Sequence, residues 1–292
     1  MTTPLLLEDM PRFTAWGAIV QTAQFSGVPI PIIDQTTLNK EYNIYPNEQG
    51  NHSTPPPPNY FAVGYGSTYT RPNSQLVEES VNYVHDPLDA NLFHLCPLVL
   101  REQGKDDLTA ERRAKYAGRA IINHEGKTYV GYLLKNIDRS ASVITADIVI
   151  PPESNDPDGV ATRTPIVGDP RYLSPTPTKL TDATVRKDGA YVEVSCALGM
   201  VFDVWELNEL IKAKQILTGS SLEITEVALF SGYKVQKTVA DGAASITYNE
   251  AIEAQMAVVM PTRIVASHYL DEGITLLHDV GVNNPTNFAR PF

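Results

Sequence analysis

Proline sets the first limit on what this chain can fold into. The 292 residues include 22 prolines, each of which removes a backbone donor and biases the residue before it away from helix. Over residues 1–80, Pro4, Pro11, Pro29, Pro31 and Pro46 separate short apolar pieces at Leu5–Leu7, Trp16–Val20 and Val28–Ile33. An extended N-terminal arm without long helices is expected there. The run Pro55, Pro56, Pro57 and Pro58 favours polyproline II geometry, and the aromatic residues Tyr60, Phe61, Tyr65 and Tyr69 follow it. Such a segment is either a ligand for a proline-reading domain or a stiff spacer laid along a neighbouring surface; the spacer is expected.

A second excursion spans 151–189, with PPESNDPDG followed by Pro165, Pro170, Pro175 and Pro177. Connections this long inside a domain are usually functional or partner-bound. The candidate partner contacts are therefore Pro55, Pro56, Pro57, Pro58, Tyr60, Phe61, Tyr65, Tyr69, Pro175 and Pro177.

Residues 81–150 and 190–292 carry the pattern of a regular core. Phe93–Arg101 is an apolar run of strand length, and Thr109 can cap a short helix over 109–117 that Gly118 stops. Arg119–Asn123 and Lys127–Lys135 flank His124, Glu125 and Gly126 as a hairpin. Tyr191–Leu198 alternates as a strand, with Val192, Val194, Cys196 and Leu198 on one face. Asp203 followed by Glu206 has capping-box spacing, and Leu207, Leu210, Ile211 and Leu217 supply a helical face up to Gly219. Leu222–Phe230 reads as a strand, Tyr248–Met260 as helix or strand ended by Pro261, and Ile264–Tyr269 and Ile274–Val282 as strands around the Asp271, Glu272, Gly273 turn. The expected class is α+β: a mainly antiparallel β core with a few short helices and long extended proline-rich segments.

Charge narrows the partners. A net charge of −11 and a pI near 5.0 disfavour nucleic acid, which is held through clustered Lys and Arg; the densest basic group is Arg112, Arg113 and Lys115. Cys96 and Cys196 are the two cysteines, each in an apolar run and expected as a buried free thiol. Residues 1–10 lack a signal-peptide pattern, and no apolar run approaches the roughly 18 residues of a membrane span. Synthesis in a cytoplasm and no membrane partner are the expectations.

No constellation for chemistry survives its own requirements. Gly126, Lys127 and Thr128 spell the end of a phosphate loop, but the glycine needed five positions earlier is Ile121. Asn155, Asp156, Asp158 and Gly159 crowd oxygen ligands without the closing glutamate of a calcium loop. The six histidines have no zinc half-site spacing, and His85–Asp86 and His278–Asp279 are adjacent pairs that a strand would point to opposite faces. No G-x-S-x-G elbow occurs. Catalytic, cofactor and metal residues are expected to be none, although carboxylates distant in sequence could still converge as a glycosidase pair.

Three stretches carry a resemblance: NYFAVGYGSTY (59–69), CPLVLREQGKDDLTAERRAKYAGRAIINHEGKTYVGYLLKNID (96–138) and SLEITEVALFSG (221–232). Together they resemble virion structural proteins of large contractile-tailed bacteriophages, and LEITEVALFSG is similar to a strand-and-turn signature of tail and baseplate proteins. The resemblance touches most of residues 30–282 and transfers no functional residue. It implies a non-enzymatic virion subunit made in the host cytoplasm and bridging neighbours in the tail, baseplate or head-to-tail neck. Its partners would be other virion proteins and copies of itself in a symmetric oligomer. Two alternatives stand beside it: a receptor- or glycan-binding module using Trp16, Tyr60, Tyr65 and Tyr69 as an aromatic platform, and a particle-associated cell-wall hydrolase. With no ligand set in the sequence, treatment with a metal chelator should leave the melting temperature unchanged; a fall of several degrees would contradict the metal-free expectation.

Overall fold

A computed structural model describes residues 5–6, 11–30, 36–44, 50–51, 53–72, 78–152, 159–166, 191–242, 244–269 and 271–285. The described strands are β1 (Leu5–Leu6), β2 (Arg12–Phe13), β3 (Pro58–Gly64), β4 (Thr68–Pro72), β5 (Glu78–Asn82), β6 (Val99–Glu102), β7 (Tyr116–His124), β8 (Lys127–Asn136), β9 (Ile144–Ile150), β10 (Thr162–Pro165), β11 (Tyr191–Phe202), β12 (Glu223–Asp241), β13 (Ala244–Val265) and β14 (Ile274–Pro285). The helices are α1 (Ala15–Ser26), α2 (Thr37–Glu41), α3 (Ala110–Arg113) and α4 (Val204–Thr218). The fold is mostly antiparallel β-sheet with few short helices. None of the described helices is long and apolar enough to cross a membrane.

The strands form a seven-stranded sheet of order β2-β13-β12-β3-β8-β6 in which β7 also pairs with β8, a five-stranded sheet of order β1-β14-β11-β9-β10, and a separate two-stranded ribbon, β4-β5. The chain clusters into two units, Met1–Ile137 with Met200–Leu276, and Asp138–Gly199 with Leu277–Phe292. These boundaries differ from the sequence divisions at 80, 150 and 189, because strand pairing joins segments far apart in the chain.

Local signals read from sequence are realised where they depend on neighbours only. Asp203 and Glu206 form a reciprocal capping box, and Gly219 closes α4 in the left-handed conformation (φ 67°). The β7–β8 hairpin turns on Glu125 and Gly126, both at positive φ (47° and 76°), the requirement of a tight primed turn; the Gly-Lys-Thr sequence is that turn. The helix expected over 109–117 is shorter: Thr109 caps α3, but the helix gives way at Ala114 because Tyr116 and Ala117 are buried and pair with Lys135 and Leu134. Gly118 lies within β7 at φ 70° instead of stopping a helix. Of Phe93–Arg101, only the last residues enter a strand, β6. Residues 266–269 form a 3-10 turn instead of continuing a strand.

Tyr248–Met260 resolves as strand, and β13 runs on through Pro261. Pro261 sits opposite Glu226 at a register shift of the β12–β13 ladder. A bulge removes the need for the ladder hydrogen bond that proline cannot donate.

The expectation of an extended arm over residues 1–80 is corrected on two counts. Pro11 and Pro29 flank a proline-free stretch, and within it α1 forms, capped by Thr14 and closed by Gly27 at φ 68°. The segment Tyr60–Val63 is buried in the seven-stranded sheet, where β3 pairs with β12 on one side and β8 on the other. Four consecutive apolar residues suit a strand covered on both faces.

Helices α1 and α2 seal one long strand. Gly17 approaches β13 so closely that a Cβ there would fall 2.0 Å from the Ala257 carbonyl oxygen. Thr14 Oγ1 donates to Met256 O at 2.6 Å and Trp16 Nε1 donates to Ser231 Oγ at 2.6 Å. At Glu253, φ is 51° and the ladder with β12 is shifted. From α2, Asn39 accepts from the Ala254 N–H at 2.7 Å and donates to Ala251 O at 2.9 Å, while Thr36 donates to Ala254 O at 2.6 Å. Other polar groups tie the periphery: Glu206 accepts from Lys135 at 2.6 Å and Tyr116 at 2.9 Å, and Asp241 at the hairpin tip accepts from Arg119 at 3.1 Å and the Asp106 N–H at 3.0 Å.

Glu250, on β13, is 1% exposed. Burial pushes its carboxyl up to about 7, against the opposing pull of the hydrogen bonds it accepts. Its Oε2 and the Tyr60 Oη have no hydrogen-bond partner among the described residues. Between the unfolded value of 4.5 and the folded value of about 7 the folded state binds more protons, so stability falls as pH rises through that window and is level above it. Glu250→Gln is therefore expected to be near neutral at pH 4 and stabilising at pH 8 by up to about 3 kcal/mol, read from urea midpoints at the two pH values.

Candidate functional site

The segment 83–95, with sequence YVHDPLDANLFHL, crosses the larger unit without regular structure and carries the most exposed apolar side chains near the ribbon. It has to be held by something other than a ladder. Asp86 and Asp89 fold its centre into a turn: Asp86 Oδ1 accepts from the Leu88 N–H at 2.8 Å, and Asp89 Oδ2 from the Asp86 N–H at 3.0 Å. The Ala15 N–H donates to Pro87 O at 2.6 Å.

The main anchor is His85. It is 8% exposed, and its ring bridges two carboxylates, Nδ1 to Asp89 Oδ2 at 2.8 Å and Nε2 to Glu226 Oε2 at 2.7 Å. Glu226 is 1% exposed, and its other oxygen accepts from the Phe93 N–H at 2.9 Å. Gly64 pairs with Glu226 across the sheet, and a Cβ on Gly64 would lie 2.5 Å from Glu226 Oε1. Only glycine leaves room for that carboxylate. Burial lowers the His85 pKa, but the hydrogen bonds and charges of Glu226 and Asp89 outweigh it and the net shift is upward. Both ring nitrogens face carboxyl oxygens, an arrangement that favours the imidazolium, the form in which both nitrogens donate.

Aromatic rings continue outward from this anchor. Phe93 lies 4.5 Å from the His85 ring and 5.5 Å from Tyr83, and Tyr83 lies 4.6 Å from Tyr69 on β4. The Tyr83 N–H donates to Ser67 O at 2.6 Å, and Ser67 Oγ meets Thr225 Oγ1 at 2.7 Å. The base of the ribbon is thereby tied to β12. Around it Val84 is 67% and Leu88 82% exposed, with Phe13, Tyr83 and Phe93 more than one-third exposed.

The sequence candidates scatter. Tyr60 and Phe61 are core residues at 1% and 0% exposure, and so unavailable to a partner; this corrects their assignment as contacts. Pro56 is buried, Pro55 and Pro58 are half-buried, and Pro57 is exposed. Tyr65 and Tyr69 are half-buried, Tyr65 with Lys214 Nζ 3.4 Å from its ring centroid. Trp16, placed in the aromatic platform with Tyr60, is buried against Ser231. Those four residues therefore form no common platform; the rings that do meet are Tyr69, Tyr83, Phe93 and His85. Pro175, Pro177 and the Asn155–Asp158 cluster lie outside the described residues. Cys96 is buried and Cys196 half-buried, both as free thiols. Burial pushes the Cys96 thiol up to about 12, which keeps it inert. Among the described residues no group of three or more His, Cys, Asp or Glu could hold a metal ion.

Sequence reasoning missed the His85 bridge. The spacing of His85 and Asp89 was available as a local signal, but Glu226 lies 141 positions away, and reading His85 against Asp86 looked at the wrong aspartate.

A family model described as a family of unknown function, DUF7208, matches residues 3–290, and the chain belongs to that family. No curated protein and no solved structure matches the chain.

Removing one member of a buried charge pair leaves the other unpaired, at a cost of about 3–5 kcal/mol. His85→Ala should lower stability by roughly that amount, and adding Glu226→Gln should recover part of it, giving a coupling energy in a double-mutant cycle. Because the folded His85 pKa is raised above 6.5, its contribution is complete below 6.5 and is lost as pH rises through the higher folded value. Urea midpoints of wild type and His85→Ala should converge as pH rises through that range; a constant difference would contradict the bridge being charged.

Proposed function

We propose that this member of the DUF7208 family is a non-enzymatic structural subunit of a tailed-phage virion, present in multiple symmetry-related copies and bridging neighbours in the tail, baseplate or neck. The observation that carries the reading is the β4–β5 ribbon with the apolar surface at its base. The ribbon pairs with no other described strand, and a two-stranded ribbon is marginal in water by itself. Its free edges can accept a strand from another chain. Beside it Phe13, Tyr83, Val84 and Phe93 are exposed, as is Leu88 farther along the same 83–93 segment. Each large apolar side chain moved out of water contributes about 1.5–3 kcal/mol, so covering several of them would support a stable contact. Clustered exposed apolar residues of this kind mark interaction sites. The resemblance of Leu222–Gly232 to tail and baseplate proteins supplies the setting, and the net charge of −11 suits a subunit that stays soluble before assembly.

The bridging segment in this reading is the ribbon and the 83–93 surface instead of an extended N-terminus, since α1 packs on β13. Purified phage particles that encode the chain should contain it at fixed stoichiometry. Val84→Glu with Leu88→Glu, both at exposed positions, should leave the melting temperature of the free subunit unchanged and abolish its incorporation. Incorporation of this variant at normal copy number would refute the surface as the bridge, and absence of the wild-type chain from particles would refute the virion role itself.

A further inference from the structure

A cleft of about 490 Å³ opens between α2 and the 89–95 segment, and the residues that line it include Glu41, Tyr42, Asp89, Asn91, Phe93 and His94. Its volume lies in the roughly 300–1,000 Å³ range of small-molecule sites. The lining mixes carboxylates, an amide and a phenol with aromatic rings, and among the described residues it includes no lysine or arginine. An anionic ligand would meet no cationic side chain in the described lining, Lys214 being engaged by the Tyr65 ring. A simple cation is also poorly served, because Asp89 Oδ2 is already engaged by His85 and by the Asp86 N–H.

The polar groups are set in place by the fold. Asn91 Nδ2 donates to Tyr42 Oη at 3.3 Å, and Asn91 Oδ1 accepts from the Leu92 N–H at 2.9 Å. The bond from the Phe93 N–H to Glu226 and the His85 bridge hold the segment that carries Asp89, Asn91, Phe93 and His94. Tyr65 forms part of the wall, stacked with His94 at 5.2 Å and in contact with Lys214. The rings left open are Phe93, 41% exposed, and His94, also exposed. Glu41 is exposed and makes no ion pair or hydrogen bond among the described residues. Carboxylate and amide oxygens accept hydroxyl hydrogens, and aromatic faces pack against apolar C–H surface. Together these groups match a neutral, polyhydroxylated ring.

We infer that this cleft is a saccharide-binding site, taking a neutral or N-acetylated pyranose with its C–H face on Phe93 and His94 and its hydroxyls on Glu41, Asp89 and Asn91. The inference differs from the bridging role in using the cleft beside α2 and not the ribbon edge; Phe93 borders both, and Glu41 belongs to the cleft alone. Pre-placement of the polar groups reduces the ordering cost of binding.

The full chain should be titrated with glucose, galactose, mannose, N-acetylglucosamine and N-acetylgalactosamine, followed by saturation-transfer NMR. At least one sugar should bind saturably, with a dissociation constant on the order of millimolar or tighter. Phe93→Ala and Glu41→Gln should each weaken it about tenfold or more, while Gln236→Ala, on the exposed face of β12, should not. Glu41→Gln removes no hydrogen bond or ion pair among the described residues, so loss of binding at an unchanged melting temperature cannot come from unfolding. The inference is overturned if none of the five sugars binds, if binding ignores both cleft substitutions, or if arginine or choline displaces the sugar at equal concentration. Glu41→Gln subunits should still enter particles, which keeps failure here distinct from failure of the bridging role.

Discussion

Backbone hydrogen-bond satisfaction along β13 is the constraint on which the larger unit depends. The strand is long, and its ladder with β12 slips register at three places. Two of the slips free N–H and C=O groups within residues 251–260, which are almost wholly buried, and orphaned buried groups of this kind cost about 1–3 kcal/mol each. Asn39, Thr36 and Thr14 meet that need with side chains and so dock α1 and α2 onto the strand. The helices are thus attached as much by capping a broken ladder as by apolar packing. Gly17 permits the approach by having no side chain to hold it off.

Buried charge organises the rest. Glu206 ties α4 to Lys135 and Tyr116, and Glu226 ties the 83–95 segment to β12 through His85. In each case the carboxylate is almost fully buried and multiply bonded, the condition under which a buried ion is tolerated. Glu250 accepts hydrogen bonds but pairs with no cation among the described residues, and burial raises its carboxyl to about 7. The difference between Glu226 and Glu250 is therefore one of partners and not of depth.

The His85 bridge also sets what lies on the surface. By pinning a segment without regular structure, it presents Tyr83 and Val84 beside the ribbon and Asp89, Asn91 and Phe93 at the cleft by α2. One anchor thus supports two neighbouring surfaces of different chemistry, one apolar and suited to a protein edge, the other polar and aromatic and suited to a small polar ligand.

What the sequence determined by itself is what depends on near neighbours. The capping box at Asp203 and Glu206, the tight turn at Glu125 and Gly126 and the predominance of strand over a few short helices were all legible, because they follow from residue choices within a few positions of one another. Proline was legible as an obstacle but misjudged in reach: Pro11 and Pro29 bound α1 without entering it, and Pro261 is absorbed at a bulge that only its pairing with β12 reveals. Tyr60 and Phe61 looked like contact residues because an aromatic after a proline run carries no mark of which face will be covered. Tertiary structure alone decided the burial of β3, the meeting of His85 with Glu226 across 141 positions, and the gathering of Glu41 with Asp89 and Asn91 around one cleft. Those juxtapositions follow from strand order, which is a balance of long-range burial and backbone pairing that no local window of the chain contains.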